Sequence, residues 1–298
     1  MNQLPTIAII GPGKVGTSLG ILAAQADYPV VAVGGRQKEN TAATARRIGK
    51  DVCACDITKA AQSAQMVLLC LPDDIIKQVC EKLAQKNKFI EGAVVIHCSG
   101  ALSSDILSVA RDCCRCSVAS MHPMQTFPTV DAAIKTMKGT YCFYEGDESA
   151  TPVIERFAKD IGLKPIQISS TTKTLYHAAA VMACNYFVAL MDSAIVLAEN
   201  AGIDRTTAWS ALEPLVATTL NNITKMGTIN SLTGPIVRGD VKTVHRHLKE
   251  LALLPGHLAS VYRTMGLYTV GIAVRKGTIT MTKAAQMRGL LANLKDGN

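Results

Sequence analysis

Four polar residues in apolar surroundings carry groups suited to proton transfer. His122 lies in SMHPMQTFP, directly after a β-rich run; Pro123 stiffens the loop, and Gln125 and Thr126 add polar groups. Lys173, His177 and Asn185 lie in TTKTLYHAAAVMACNYFVAL. Lys173 and His177 are four apart and share a helix face, and Asn185 returns to roughly the same side eight residues later. A helix this apolar keeps a His and an Asn only where they find partners or work. Lys173 or His177 can donate a proton, and Asn185 can position a substrate. Two readings stay open. His122 faces a substrate or hydrogen-bonds its own backbone, and the helix residues face a cleft or form a satisfied polar set inside a bundle or dimer interface.

A second constellation tells what such groups would serve. TIAIIGPGKVGTSLG sets Gly11, Gly13 and Gly16 in G-x-G-x-x-G spacing, after a β-rich run and ahead of an amphipathic one. In that context Gly11 permits a tight strand-to-helix turn. Gly13 lets backbone approach a pyrophosphate, and Gly16 lets the helix pack close to the strand. Pro12, Lys14 and Val15 complete the turn, and the helix N-terminus offers free N–H groups and partial positive charge to phosphates. The alternative is a purely structural turn.

The next β-rich run ends in VAVGGRQKEN. An NAD site places a carboxylate here to hold the ribose 2′-hydroxyl. This run has none; Gly35 leaves room, and Arg36 offers paired hydrogen bonds to a 2′-phosphate, with Gln37 and Lys38 next. The expected cofactor is therefore NADP, against a reading of Arg36 as an ordinary solvated side chain. Leu71 and Pro72 of LLCLPDD and Ser99 and Gly100 of HCSGAL fall at further strand ends, where open α/β sheets bind ligands. Ser99 and Gly100 either line a nicotinamide pocket or form a turn into a helix. Hydride transfer to C=O or C=N requires the proton donor and substrate-fixing groups named above.

The elements that must position these residues follow two grammars. From Thr6 to Ile168, short β-rich runs (6–10, 30–34, 66–72, 93–97, CSVASM, TYCFYE, PIQIS) alternate with helical segments. Asp73 caps one helix, Ser103 and Ser104 another, and Thr151-Pro152 starts a third that Gly162 stops. This predicts an α/β fold with a doubly wound parallel sheet over 1–168. After Ser169 strand signals nearly vanish. The pattern predicts an all-α domain over 169–298: a long buried helix near 172–200, a helix from Asp204 bent or interrupted at Pro214, and a third from Asp240. Further helices are expected over 257–275 and 283–294. The loop SLTGPIVRGD, with Gly234-Pro235, Arg238 and Asp240, completes a pocket or joins two helices. His245 and His247, two apart on a helix, point to different faces and suit no shared metal.

The 298 residues are 48% hydrophobic and 18% charged, which excludes a disordered chain, and 4% aromatic, so small aliphatic residues fill the core. The formal charge of +8 comes from scattered Lys and Arg with no aromatic stacking platform, which suits phosphate-bearing small molecules better than nucleic acid. Ten cysteines show neither disulfide-framework nor zinc spacing. No metal is expected. His177, Asn185 and Asp192 within the most apolar stretch, 175–197, argue against a membrane span. MNQLPTIAII does not look like a signal peptide, so a cytoplasmic location is expected.

Taken together, IAIIGPGKVGTSLG, HCSGAL, HPMQTF, YHAAAVMACNYFVAL and LTGPIVRGD resemble a family of Rossmann-like NADP oxidoreductases with an uncharacterised helical C-terminal domain. That family lies within the pyrroline-5-carboxylate reductase and 6-phosphogluconate dehydrogenase superfamily. The resemblance implies a Rossmann domain, a helical domain that forms a homodimer, and NADP. The leading reading is an NADP(H)-dependent enzyme acting on a small carbonyl or imine substrate. In hydroxyacid-dehydrogenase relatives a Lys and an Asn four apart carry catalysis. Here His177 stands four after Lys173, and Asn185 comes later. A non-catalytic NADP(H) sensor or scaffold is the alternative, and a deazaflavin in place of NADP is a third.

Overall fold

The computed structural model describes residues 3–292. The chain divides into two compact units, up to Ala183 and from Cys184 onward. The first unit is built on eight strands: β1 (Ile7–Ile10), β2 (Val30–Gly34), β3 (Cys53–Cys55), β4 (Met66–Leu69), β5 (Val94–His97), β6 (Ser117–Pro123), β7 (Tyr141–Gly146) and β8 (Lys164–Gln167). They form one sheet in the order β3-β2-β1-β4-β5-β6-β7-β8. The helices α1 (Lys14–Gln25), α2 (Lys38–Ile48), α3 (Ile57–Ala61), α4 (Asp73–Ala84), α5 (Ser108–Cys114), α6 (Val130–Met137) and α7 (Thr151–Asp160) connect them, followed by α8 (Lys173–Ala183).

The central strands read IAII, MVLL and VVIH because helices cover both of their faces. Ile7, Ile9, Met66, Leu68 and Ile96 enter one core cluster; Ala8, Ile10, Val67, Leu69 and Val95 enter the other. Each fully buried Ile or Leu contributes about 1.5–3 kcal/mol. The register aligns the strand ends. Ile10 pairs with Gly34 and Leu69, Leu69 with His97, and His97 with Ser120. The next residue of each strand therefore lies along a single carboxyl edge.

The sheet is doubly wound and mostly parallel, as expected, with one reversal. β7 runs antiparallel to β6, pairing Ser120 with Glu145 and His122 with Phe143. The connection does not cross the sheet. The chain leaves at Pro123 and re-enters beside it at Tyr141, where Met124 N–H donates to the Tyr141 carbonyl. β3 has three residues and sits at the edge, too short to leave a periodic signal. Asp73 is the first residue of α4 rather than its cap. Pro72 holds the cap position, and Asp73 and Asp74 favour the positive end of the helix dipole.

The second unit contains α9 (Asn185–Asn200), α10 (Arg205–Asn230), α11 (Val241–Leu251), α12 (Gly256–Lys276) and α13 (Met281–Ala292). Ile236, Val244, Leu248, Val270, Ala273, Ala284, Met287 and Leu291 form its core. Asp204 caps α10 and Asp240 caps α11. Three expectations change. The helix over 172–200 breaks at Cys184 into α8 and α9. It is not buried: Leu175 is 76% exposed, and Met182, Tyr186 and Val188 exceed 60%. Pro214 does not interrupt α10: it is exposed, and the helix continues on both sides of it. The break falls at Gly227, whose φ of 75° leaves the helical region. The last two residues of the helix expected over 283–294 lie outside the described residues.

The strands end near 168, where the change of grammar was placed, yet the first unit continues to Ala183. Lys173, on α8, is drawn into the core of the sheet unit and keeps the helix there.

Candidate active site

The glycine turn is built as a cradle. Gly11 has φ 107°, and a Cβ there would lie 2.2 Å from the Cys70 carbonyl oxygen; a Cβ on Gly16 would lie 2.3 Å from the Gly11 carbonyl oxygen. The strand, turn and helix thus meet backbone to backbone. Gly13, by contrast, faces open space, with nothing within 4 Å of its Cβ position. It is also the N-cap of α1, and no side chain accepts from the first turn, which contains no acidic residue. The N–H groups that Lys14 and Val15 present there are left for a ligand.

A cavity of about 850 Å³ opens against this turn, lined by Gly11, Pro12, Gly13, Gly35, Arg36, Leu71 and Pro72 among others. The far wall is α4, whose Ile75, Gln78, Val79 and Lys82 line it at helical spacing. A second cavity of about 650 Å³ continues past Arg36 and Lys82 and adds Lys38. Three cations from separate elements therefore surround the end of β2. Lys82 escaped the sequence reading. Its signal was the 75-78-79-82 stripe on α4, which has meaning once that face is known to border the turn. An open glycine cradle, an uncapped helix and this cation set fit a phosphate-bearing dinucleotide.

Further along the edge the polar residues lock together. Lys173 is 1% exposed. Its ammonium donates to Ser120 Oγ and lies 3.2 Å from Glu145 Oε1. Glu145 also accepts from Ser104, at 2.9 Å from the N–H and 2.7 Å from the hydroxyl. Burial pushes the Lys173 pKa down, and the Glu145 carboxylate opposes that shift. His97 is buried beside this set. Its Nδ1 accepts from Ser99 N–H at 3.2 Å, so Nε2 carries the proton and donates to the Ser103 carbonyl, also 3.2 Å away. Burial, then the Lys173 charge, pushes the His97 pKa to about 3.

His122 and His177 meet edge to face, with ring centroids 5.7 Å apart. His122 Nδ1 lies 2.8 Å from the Tyr176 hydroxyl. Gly100 passes beneath both rings: a Cβ there would sit 2.4 Å from His177 Nδ1 and 2.9 Å from His122 Nε2. His177 Nδ1 is shielded from solvent without a hydrogen-bond partner. Burial first, then His177 and Lys173, pushes the His122 pKa to about 4. At neutral pH His122 is an uncharged imidazole.

The structure thus brings Gly100, His122, Lys173 and His177 together. Ser99 lies beside them, but its hydroxyl accepts the Ala101 and Leu102 N–H groups within the turn. Asn185 opens α9 in the second unit, with an exposed side chain. Gln125 donates to the Thr136 carbonyl, and Asp240 holds Thr243. Glu145, Tyr176 and His97 were missed because their role depends on pairing across β5, β6, β7 and α8. Among the described residues, no group of three or more His, Cys, Asp or Glu is arranged to hold a metal ion. The stretch 170–200 is long and apolar enough to cross a membrane, with a mean hydropathy of 1.8 over its most apolar 18 residues. Lys173 anchors one end of it in the sheet unit, and Asp192 within it pairs with Arg205 of α10.

Comparison with known proteins agrees with the two-part fold. The family described as a Rossmann-like domain matches residues 3–123, and the family described as a domain of unknown function, DUF2520, matches residues 140–269. No curated protein matches the chain. The crystal structure of protein TM1727 from Thermotoga maritima is 26% identical, covers 91% of this chain and 99% of its own, and has a TM-score of 0.70. A Plasmodium falciparum pyrroline carboxylate reductase with NADP bound is 13% identical, covers 96% and 98%, and has a TM-score of 0.55. An imine reductase from Pseudomonas sp. is 18% identical, covers 96% and 99%, and has a TM-score of 0.62. At those last two identities the likeness is one of fold. The DUF2520 match begins at the edge of β7 and takes in Glu145, Lys173 and His177. The chain thus carries a match to a Rossmann-like domain followed by a match to DUF2520, the order of its sheet unit and helical half.

Proposed function

We propose that the protein is an NADP(H)-dependent oxidoreductase that moves a hydride to or from a small carbonyl or imine compound. The observation that carries this reading is the cavity joining the uncapped N-terminus of α1 to Arg36 and Lys82. The pyrophosphate would rest on the N–H groups after Gly13, and the 2′-phosphate beside Arg36, Lys38 and Lys82. When bound, the nicotinamide supplies or accepts the hydride. His122, uncharged at neutral pH, and His177 beside it would hydrogen-bond the reacting oxygen or nitrogen and relay its proton in either direction. The buried Lys173–Glu145 pair positions α8, which carries Tyr176 and His177, rather than serving as a free acid.

The reductases of similar fold that act with NADP or NADPH support this reading. The exposed apolar side chains of α9, α10 and α12, including Tyr186, Leu215 and Tyr268, support a homodimer. NADPH titration followed by a panel of 2-oxo acids, aldehydes and cyclic imines tests the function. Micromolar NADPH binding with turnover of one class is the expected result. Tight binding with no turnover, unaffected by His122→Ala or His177→Ala, would favour an NADP(H) sensor or scaffold. No NADPH binding would overturn both.

A further inference from the structure

Cys70 and Cys98 follow Leu69 and His97, which are paired in register on β4 and β5. Both side chains join the same core cluster on one face of the sheet, and their Sγ atoms lie 3.7 Å apart. Neighbouring strands run about 4.8 Å apart, within the roughly 4.4–6.8 Å Cα separation that a disulfide spans. Both residues are half-buried, whereas Cys80, Cys114, Cys116 and Cys142 are buried.

Their position matters more than their proximity. Cys70 lines the 850 Å³ cavity. Its carbonyl oxygen is the atom that a Cβ on Gly11 would strike, and its Cβ lies 3.1 Å from the Cβ position of Gly16. Cys98 enters the turn that carries Gly100 beneath His122 and His177. A covalent bond between the two would tie the glycine turn to the histidine turn and displace Cys70 against backbone that has no slack.

We infer that Cys70 and Cys98 form an oxidation site: a peroxide closes the pair to a disulfide, and closure weakens dinucleotide binding in the adjoining cavity. The Cys98 contact and burial push the Cys70 thiol up, and the first attack is assigned to Cys98. Its thiol attacks hydrogen peroxide to give a sulfenic acid and one water. The Cys70 sulfur then attacks that sulfur, and the hydroxyl leaves with the Cys70 thiol proton as a second water. Two thiols and one peroxide become one disulfide and two waters. Reduction by a dithiol restores the open pair.

The formation of the bond stands independently of the proposed function, while its effect on affinity rests on that function. The test treats the full chain with a few equivalents of hydrogen peroxide, maps cross-links by non-reducing peptide mass spectrometry, and titrates NADPH before and after. The expected result is a Cys70–Cys98 cross-link with at least tenfold weaker NADPH binding, restored by dithiothreitol. Cys98→Ser should bind NADPH like the parent and show no loss after peroxide. Unmodified or separately overoxidised Cys70 and Cys98 would overturn the inference, as would a cross-link that leaves NADPH affinity unchanged. A cross-link in a protein that binds no NADPH in either state would retain the oxidation site, while overturning its proposed effect and the cofactor reading.

Discussion

Lys173 Nζ lies 3.2 Å from Glu145 Oε1, and both side chains are closed to water. The pair joins the first helix after the sheet to the strand that reverses it, so it fixes where Tyr176 and His177 stand. Removing one partner leaves the other charge buried alone, at a cost of about 3–5 kcal/mol. Lys173→Met and Glu145→Leu should each lower the unfolding free energy measured by urea titration by that amount, and the double variant should recover much of the loss. Additive losses in the double-mutant cycle would contradict the coupling.

Arg36 bears on cofactor choice. Arg36→Ala should weaken NADPH binding by about tenfold to a hundredfold, the loss of charge-assisted hydrogen bonds worth about 1.5–3 kcal/mol. NADH binding should change little. Lys82→Ala should act in the same direction with a smaller effect. Fluorescence titration of both nucleotides reads this out, and equal losses for NADH and NADPH would remove Arg36 from the 2′-phosphate site.

Gly100 tests the histidine pair. Gly100→Ala places a methyl 2.4 Å from His177 Nδ1 and 2.9 Å from His122 Nε2, so both rings must move. Turnover should fall at least tenfold, with NADPH affinity preserved because Gly100 does not line the dinucleotide cavity. Steady-state kinetics with direct NADPH titration separates the two effects. Unchanged turnover would argue that the pair has no part in the chemistry.

Acid should unfold this protein through its histidines. His97 and His122 have folded pKa values pushed to about 3 and about 4, below the usual histidine value of 6.5. Between those values and 6.5 the unfolded state binds more protons. Stability should therefore fall as pH drops from about 6.5 toward 4, by up to about 1.4 kcal/mol per pH unit for each histidine. Urea unfolding at stepped pH should show this slope, reduced in His122→Asn. A flat profile would mean that neither imidazole is held neutral.

How much was legible follows from the range of each interaction. Gly11, Gly13 and Gly16 were readable because a strand, a turn and a helix start are set by adjacent residues. Asp204 and Asp240 were readable as helix starts for the same reason. Lys82 was not, since a lysine on an amphipathic helix reads as solvated until the opposite wall is known. Pro214 misled as an interruption because a proline removes a single helix hydrogen bond, and the bonds on either side of it still hold α10 together.

By itself the sequence determined the α/β-then-α order, the glycine turn from strand into helix, and the missing carboxylate with Arg36 in its place. Each is written within a few consecutive residues. Only the tertiary structure decided that His122 and His177 share Gly100, that Lys173 is held by Glu145 and Ser120, and that Cys70 faces Cys98. Those partners lie between 22 and 77 residues apart in the chain. Strand register and the reversal at β7 bring them together, and neither is encoded in any local run of residues.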